Sequence, residues 1–342
     1  MHRWSPFPRL TLLITAFLYG AMTGCTVGDS PSTLRLLILG TAQDGGFPHA
    51  SCWCRNCTDA RRGAIKPRFV SSLALLIPQI GKETEVFLID AGPDLRAQLD
   101  MLRGVRSSRP GVDRRPVDGV FLTHAHIGHY LGLAFLGYEA INSSGIPVYA
   151  SHRMAEFLRG NGPWSQLIRI GNVEVRETGP GERVQICEGA KSEYAIGVTP
   201  IEVPHRDEYS DTLGFVISAE IPSRREGLQQ NILFVPDSAP WARWTTPLPE
   251  VIEKYSVTTA ILDGTFYSAG ELPDRNIAEI GHPLMTDTMD LLESRVRSGR
   301  LKVYFTHLNH SNPALRSESS EARQIRRRGF RVAIEGQQIP LL

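Results

Sequence analysis

The strongest chemical signal in the sequence is a block of three histidines within six residues. His124, His126 and His129 follow an apolar run that predicts a strand over 117–122. A buried imidazole needs a hydrogen-bond partner, so three together suit a hydrophobic core poorly. They suit a borderline divalent metal such as Zn²⁺ or Fe²⁺, because imidazole nitrogen is a preferred ligand of both. The block therefore predicts a metal site at the end of that strand.

Three later residues with metal-binding side chains also stand at the ends of predicted strands. His205, Asp237 and His307 each follow a short apolar run. Taken singly, each is as typical of an ordinary loop residue as of a metal ligand. Functional side chains collect on loops at one edge of a rigid scaffold. Four strand-end groups in one chain therefore favour a shared metal site.

A second cluster contains three of the five cysteines. Cys52, Cys54 and Cys57 form the pattern C-x-C-x-x-C. Thiolates this close suit a tetrahedral zinc site that needs one more ligand. A disulfide between the first two would be badly strained, so the redox alternative is a Cys54–Cys57 disulfide. The candidates for the fourth zinc ligand are His49, His310 and Cys187.

The composition narrows the class of protein. Of 342 residues, 42% are hydrophobic and 21% are charged, with 37 basic against 36 acidic side chains. This composition supports a large folded core and excludes disordered, collagen-like and multi-span membrane classes. A formal net charge of +1 also argues against a protein that mainly coats nucleic acid. The glycine-rich stretch 40–46 lacks the lysine and hydroxyl residue of a phosphate-binding loop, so no nucleotide site is expected there.

The N-terminus has the pattern of an export signal. Residues 10–22 carry no charge and are too few to span a bilayer comfortably. Small residues then precede Cys25, which is typical of a bacterial lipoprotein cleavage site. We expect residues 1–24 to be a signal peptide and 25–33 a flexible tether. The mature protein would be exported, either periplasmic or anchored to the membrane by a lipid on Cys25; the alternative is an uncleaved anchor or a misread start.

Apolar periodicity predicts the elements that must position these side chains. Strands are expected at 34–39, 72–77, 86–89 and 117–122, with further short strands between 173 and 332. Helices are expected at 95–102, 130–140, 151–159, 285–296 and 318–327. Many short strands, with helices between groups of them, favour an α/β protein of two sheets with helices outside, in a single domain.

The motifs resemble those of the metallo-β-lactamase superfamily. The matching segments are Asp90-Ala91-Gly92, Thr123-His124-Ala125-His126, Pro204-His205, Pro236-Asp237 and Thr306-His307. Their order and strand contexts agree from about residue 34 to the C-terminus. The resemblance implies an αββα sandwich over 34–342, with one or two metal ions at its open edge.

The resemblance also implies a role for each motif residue. The ligands of the first ion would be His124, His126 and His205. A second ion would bind His129 and His307, with Asp237 as the bridging carboxylate that also helps to steer a proton. Asp90 would orient a ligand loop.

One position departs from the superfamily pattern. The usual block is His-x-His-x-Asp-His, and here Gly128 stands at the position of the aspartate. The second site thereby loses a carboxylate, which predicts a weaker second ion or a single ion. In the superfamily that aspartate also helps to hold the attacking water. The candidates to replace it are Asp207, Asp211 and Asp263.

A subgroup of the superfamily carries the same cysteine trio just after its first glycine turn. It includes the cyclic phosphodiesterases of phosphonate breakdown, in which the fourth zinc ligand is a histidine three residues after the last catalytic histidine. His307 and His310 have that spacing. The resemblance therefore implies a structural zinc site made of Cys52, Cys54, Cys57 and His310.

The segments 39–48, 262–266, 281–283 and 307–313 are similar to the family of pyrroloquinoline quinone biosynthesis protein B. The chain keeps a fuller histidine block than that family and carries an export signal, so a related role is expected rather than an identical one. Asp263 and His282 are candidate catalytic residues within the similar segments. The alternative is that these two are turn residues that cap a helix.

The expected function is that of a metal-dependent hydrolase that acts through metal-bound water on a small-molecule phosphodiester, lactone or related ester. Zinc is expected in the cysteine site, and Zn, Mn or Fe in the histidine site. One alternative is an oxidative or carrier role in pyrroloquinoline quinone biosynthesis, and another is a non-catalytic zinc-binding module. No nucleic-acid partner is expected, and a lipid on Cys25 is the expected route of membrane attachment.

Overall fold

The apolar runs of the sequence form two β-sheets. The protein is described by a computed structural model that covers residues 33–107, 110–187, 194–221, 229–272 and 281–342. The described residues lie within one unit that runs from Pro31 to Leu342. Cys25, the expected signal peptide and all but the last residue of the expected tether lie outside the described residues.

The first sheet has seven strands in the order β14-β1-β2-β3-β4-β5-β6. Its strands are β1 (Arg35–Gly40), β2 (Ser72–Ile77), β3 (Glu85–Ile89), β4 (Gly119–Phe121), β5 (Ile146–Ala150), β6 (Val173–Glu177) and β14 (Gln338–Pro340). β1 pairs antiparallel with both β2 and β14, so the two ends of the described chain meet in this sheet. The pairs from β3 to β6 are parallel.

The second sheet also has seven strands, in the order β13-β12-β11-β10-β9-β8-β7. Its strands are β7 (Val184–Cys187), β8 (Ala195–Glu202), β9 (Leu213–Glu220), β10 (Gln229–Val235), β11 (Val257–Asp263), β12 (Lys302–Thr306) and β13 (Arg331–Val332). β10, β11 and β12 run parallel to one another. Their carboxyl ends therefore lie at the same edge.

Helices cover the outer faces of both sheets. They are α1 (Arg55–Arg61), α2 (Leu95–Met101), α3 (Ile127–Tyr130), α4 (His152–Gly160), α5 (Trp164–Arg169), α6 (Leu248–Lys254), α7 (Met285–Arg297) and α8 (Ser320–Arg327). α2, α4 and α5 pack on the first sheet, and α6, α7 and α8 pack on the second. Among the described residues, no helix is both long and apolar enough to cross a membrane.

Alternating side chains on the inner faces join the two sheets. Phe121 of β4 is fully buried, stacks on Tyr149 at 4.4 Å, and meets Phe215 of the other sheet edge-on at 5.6 Å. Each such buried aromatic contributes roughly 1.5–3 kcal/mol relative to exposure. Helices therefore lie outside two packed sheets, which confirms the predicted αββα sandwich.

The predicted helix over 130–140 is wrong. The α-helix ends at Tyr130, and Leu131–Leu136 continues as a tighter 3₁₀ helix. The backbone N–H of Gly132 donates to the carbonyl of Ala91 at 2.8 Å, not to a helical partner four residues back. A tertiary hydrogen bond thus interrupts the helical ladder that the apolar spacing predicts. The other predicted helices are present, with ends shifted by two residues or fewer.

Candidate metal centre

Five strand ends bring polar side chains to one edge of the sandwich. The block with His124 follows β4, His205 follows β8, Asp237 follows β10, Asp263 ends β11, and His307 follows β12. His307 adopts a positive φ of 60°, and Asp90, which follows β3, adopts 66°. Non-glycine residues seldom take this left-handed conformation. It turns the chain sharply at the point where each strand ends.

The first group of ligand atoms surrounds one carboxylate oxygen. Asp237 Oδ2 lies 3.2 Å from His205 Nε2 and 3.3 Å from His124 Nε2. His126 Nδ1 lies 2.9 Å from His124 Nε2 and 3.3 Å from His205 Nε2. Ligand atoms about 2.0–2.2 Å from a zinc ion must lie roughly 3–4 Å from one another. The spacing of these four side chains therefore fits a single divalent ion.

A second group lies on the other side of Asp237. His129 Nε2 and His307 Nε2 are 3.9 and 3.8 Å from Asp237 Oδ2. Both nitrogens are buried and have no hydrogen-bond partner among the described residues. Buried polar atoms without a partner are rare in folded proteins. The two nitrogens converge with a carboxylate oxygen of Asp44, and this arrangement also suits a cation.

Hydrogen bonds on the outer side of the rings leave nitrogen lone pairs on the inner side. Asp90 Oδ2 accepts from His129 Nδ1 at 2.7 Å, and Asp90 Oδ1 accepts from the Thr123 backbone N–H at 2.8 Å. Thr123 Oγ1 lies 3.0 Å from Asp90 and 3.0 Å from His124 Nδ1. Since its one proton goes to the carboxylate, the hydroxyl accepts from His124 Nδ1. In their neutral forms, His129 and His124 therefore present the Nε2 lone pair to the centre.

His307 and His126 are set in the same manner by other partners. Thr265 Oγ1 donates to the carbonyl of His307 at 3.1 Å and accepts from His307 Nδ1 at 2.9 Å. Glu208 Oε2 accepts from His126 Nε2 at 3.0 Å, which leaves His126 Nδ1 free to face the centre. Each described partner thus selects the tautomer whose lone pair points inward.

Burial and charge separate the protonation states within the cluster. Burial lowers the pKa of His124 well below its usual value and also lowers that of His307. Burial opposes ionisation of Asp237, but the neighbouring His282, His307 and His205 hold its pKa well below the usual range. His129 differs: burial lowers its pKa, but Asp90, Asp44 and Asp237 outweigh burial and raise the pKa to about 9. Because neutral imidazole and ionised carboxylate are the forms that bind metal, an ion at His129 must displace a proton.

His282 and Asp263 form a charged pair at the mouth of the cluster. His282 Nδ1 lies 2.9 Å from Asp263 Oδ2 and 3.1 Å from Asp237 Oδ1. Burial disfavours the charged ring, but the two carboxylates outweigh burial and raise the pKa of His282 to about 10. Its side chain is 10% exposed, whereas those of His205 and His307 are fully buried. His282 therefore holds a proton beside Asp237, and its ring is more exposed than those of His205 and His307.

The cysteine trio and His310 form a separate cluster. Cys52 Sγ and Cys54 Sγ lie 3.4 and 3.5 Å from His310 Nδ1, and the Cys57 thiol converges with them. Zinc–sulfur and zinc–nitrogen bonds of about 2.3 and 2.0 Å in a tetrahedron require such separations. The described cysteines are all free thiols. The structure thus brings together the four residues that the resemblance implied.

The other two candidates for the fourth zinc ligand have different contacts. His49 donates its backbone N–H to Cys57 Sγ at 3.3 Å, and its ring packs against that of His310 at 4.7 Å. Cys187 lies in β7 and contacts Gln79 Nε2 at 3.6 Å. Neither side chain belongs to the group of converging ligand atoms in the described part of the chain.

Backbone contacts join the cysteine cluster to the histidine cluster. Leu308 donates its N–H to the Thr41 carbonyl at 2.8 Å and accepts from the Gln43 N–H at 3.0 Å. Asn56 Nδ2 donates to the carbonyl of His310 at 3.1 Å. The first loop of the fold and the loop that follows β12 therefore support each other, and a ligand of each cluster lies on the second loop.

Two of the three aspartates proposed to replace the missing carboxylate are engaged elsewhere. Asp207 Oδ1 accepts from Thr212 Oγ1 at 3.1 Å, and Asp211 Oδ1 accepts from Ser151 Oγ. Asp263 does converge with His282, His307 and Asp237. The sequence did not point to Asp44, although the departure at Gly128 was a signal that a carboxylate had to come from another segment.

Known proteins show the same fold and the same family. A family model described as a beta-lactamase superfamily domain matches residues 85–308. Coenzyme PQQ synthesis protein B of Cupriavidus necator is 26% identical over 327 residues, which cover 89% of this chain and 98% of the relative. The protein of the same name from Azotobacter vinelandii is 27% identical over 337 residues, covering 90% and 100%.

Two solved structures share the fold. Zn²⁺-bound PqqB from Methylobacterium extorquens superposes with a TM-score of 0.71 at 23% identity, covering 90% of this chain and 100% of its own. A diphosphatase of the PhnP family has a TM-score of 0.58 at 18% identity, covering 90% and 98%. At these identities the two structures establish the fold alone. Because the family model spans more than half of the sequence, the chain belongs to the metallo-β-lactamase superfamily.

Proposed function

We propose that the protein is a metal-dependent hydrolase that acts on a small-molecule phosphodiester, lactone or related ester. One observation carries the proposal: five imidazole nitrogens lie 3.2–3.9 Å from Asp237 Oδ2. Ligands that converge on a buried carboxylate at the open edge of this fold suit metal-assisted hydrolysis.

The ligands proposed for the main ion are His124, His126, His205 and Asp237. When bound, a divalent cation lowers the pKa of a coordinated water toward about 7 and polarises a carbonyl or phosphoryl oxygen. His282, held charged by Asp263, donates a proton to the leaving-group oxygen. Asp90 and the threonine hydroxyls accept from the outer Nδ1 atoms and so direct the Nε2 lone pairs toward the ion. We propose that the centre holds one or two ions of Zn, Mn or Fe, because imidazole nitrogen and carboxylate oxygen bind all three metals.

We propose zinc for the cysteine cluster, because three thiolates and one imidazole select a soft or borderline ion. That ion would be structural. Four protein ligands fill a tetrahedral site and leave no open position for a substrate. Its role is to hold the first loop against the loop that carries His307.

The test begins with protein that is stripped of metal and then reloaded with Zn²⁺, Mn²⁺ or Fe²⁺. A generic phosphodiester and a set of lactones serve as substrates, with His124→Ala as the ligand variant. His152→Ala is the matched control, because His152 is exposed and pairs with Glu177 away from the cluster. We expect turnover by wild type and the control, and none by His124→Ala. No turnover of either substrate class by fully loaded wild type would overturn the proposal.

A second candidate function follows from the curated relatives. They are named for coenzyme PQQ synthesis, and the chain covers nearly their whole length. This similarity supports an oxidative or carrier role toward the quinone cofactor or its precursor. Iron in the purified protein, together with O₂ uptake when a precursor is added, would favour this role over hydrolysis.

A non-catalytic zinc-binding module is the third candidate. It predicts zinc in the cysteine cluster alone, so His124→Ala would leave the metal content unchanged. A loss of metal in that variant would exclude the module. The same measurement thus separates a binding module from both enzymatic roles.

We also propose that the protein is exported and carries a lipid on Cys25. The proposal is supported by the uncharged run 10–22 and by the small residues before Cys25. A Cys25→Ser variant tests it by cell fractionation. We expect wild type in the membrane fraction to incorporate labelled palmitate and the variant to incorporate none, and wild type without label would contradict lipid attachment.

A further inference from the structure

A carboxylate occupies the space that the missing superfamily aspartate would need. Gly128 donates its backbone N–H to Asp44 Oδ1 at 3.0 Å. A Cβ atom built on Gly128 would lie 2.2 Å from Asp44 Oδ1 and 2.8 Å from Asp44 Cα. Real Cβ atoms do not approach other atoms this closely. Asp44 and a side chain at position 128 therefore exclude each other.

The same carboxylate faces the two unpartnered histidine nitrogens. Asp44 Oδ1 lies 3.7 Å from His129 Nε2, which is too long for a hydrogen bond but fits two ligands of one ion. Ligand atoms of Asp44, His129 and His307 all lie within 4.8 Å of one another. Asp237 Oδ2 lies 3.8–3.9 Å from both imidazoles, although it is not one of the three atoms that converge at Asp44.

The loop that carries Asp44 is fixed from both sides. Gln43 is hydrogen-bonded to the backbone of Leu308, the residue after His307. On its other side the chain enters the cysteine cluster, which is joined to His310. These contacts hold the loop with Asp44 against the loop that supplies His307.

We propose that Asp44 supplies the carboxylate of a second metal position. His129 and His307 are the other ligands that bind only this ion, and Asp237 is shared with the first ion. The carboxylate that the superfamily places in the histidine block is supplied here by the first loop of the fold. The absence of a side chain at Gly128 leaves room for it. Two imidazoles and two carboxylates then bind the second divalent cation. The inference rests on the proposed function, because it presupposes an ion at the first position.

Metal content of purified, reloaded protein tests the inference without any substrate. The main variant is Asp44→Asn, which keeps the acceptor for the Gly128 N–H but removes the negative charge. Asp207→Asn is the matched control, since its carboxylate contacts Thr212 and joins no ligand group among the described residues. We expect Asp44→Asn to hold one Zn²⁺ or Mn²⁺ fewer per chain than wild type, and the control to hold the full number.

Moving the carboxylate from position 44 to position 128 provides a second test. The double variant Asp44→Gly/Gly128→Asp returns the carboxylate to the histidine block and removes the clash at Asp44 Oδ1. The Cα of residue 44 would still lie 2.8 Å from the new Cβ, so the first loop must also shift by a few tenths of an ångström. We expect it to regain the ion that Asp44→Asn loses. Thermal unfolding of each variant in the metal-free state shows whether it is folded, so a lost ion is not mistaken for a lost fold.

Two results would overturn the inference while leaving the first ion in place. One is a full complement of metal in Asp44→Asn. The other is loss of the ion in Asp263→Asn but not in Asp44→Asn, which would move the second position to the side of His282. If His124→Ala loses no metal and wild type holds metal only in its cysteine cluster, the proposed function fails first and the inference fails with it.

Discussion

Replacing Asp90 by asparagine tests whether the metal centre depends on preset imidazole tautomers. Asp90 Oδ2 accepts from His129 Nδ1 at 2.7 Å, and Asp90 Oδ1 accepts from the Thr123 N–H at 2.8 Å. In Asp90→Asn one oxygen remains for Thr123, and the amide group then points its N–H toward His129. Two donors cannot face each other, so the proton of His129 moves to Nε2, the atom that faces the ion.

The magnitude follows from the bonds that change. A hydrogen bond to a charged acceptor is worth about 1.5–3 kcal/mol, and one such bond is lost at His129. Loss of a residue that orients a metal ligand typically weakens metal affinity by roughly 10–100-fold. We expect this loss at the ion that His129 binds, with a smaller change at the ion held by His124, which contacts Asp90 through Thr123.

Calorimetric titration of metal into stripped protein measures both affinities. Asp118→Asn is the matched control, because Asp118 also accepts a backbone N–H at 2.8 Å in the first sheet but pairs with Arg106 away from the centre. The control should lose stability without losing metal affinity. If Asp90→Asn binds every ion as tightly as wild type, the tautomer argument is refuted.

Three further predictions concern the cysteine cluster, a buried acid and the core. Cys54→Ser should lower both the melting temperature and the metal content of the histidine centre, because the loop with His307 loses its support; unchanged metal in that centre would contradict the coupling. Burial raises the pKa of Glu271 to about 7, so ionisation of this carboxyl destabilises the folded state increasingly as pH rises toward that value. The free energy of unfolding of Glu271→Gln, measured in urea, should therefore rise by about 1–3 kcal/mol relative to that of wild type between about pH 5 and about pH 8. A difference that does not change with pH would disprove the prediction. Phe121→Ala should cost about 3–5 kcal/mol of unfolding free energy, and a cost of less than about 1 kcal/mol would mean that the sheets do not pack through this ring.

Much of the metal centre could be predicted because short sequence patterns identify most of its ligands. His124, His126 and His129 lie within six residues, and His205 and His307 each end an apolar run. The period of apolar residues marks the strands, and strand ends in a two-sheet protein meet at common edges. The order of the motifs then indicates which segments share one site, and the structure brings those segments together.

Asp44 could not be found in this way, because nothing within its own segment distinguishes it from a turn residue. Its role depends on a contact with Gly128, which is 84 residues away in the chain. The tautomers of the ligand histidines could not be predicted either, because they depend on partners such as Thr265 and Glu208 that belong to no motif. The helix expected over 130–140 failed for the same reason, because Gly132 bonds to Ala91 of another segment.

The contact between Cys52 and His310 has a consequence for how the molecule is made. The two residues are 258 positions apart in a chain of 342 residues, so joining them closes about three quarters of the chain into one loop. Closing a loop of this length costs the chain on the order of 5 kcal/mol in entropy. The binding free energy of a zinc ion, which is available only when the two segments meet, would offset that cost. A polypeptide still emerging from the ribosome has the thiols but not the last histidines. A product truncated before His307 would lack ligands for both clusters, and metal retention would thus distinguish finished molecules from incomplete ones.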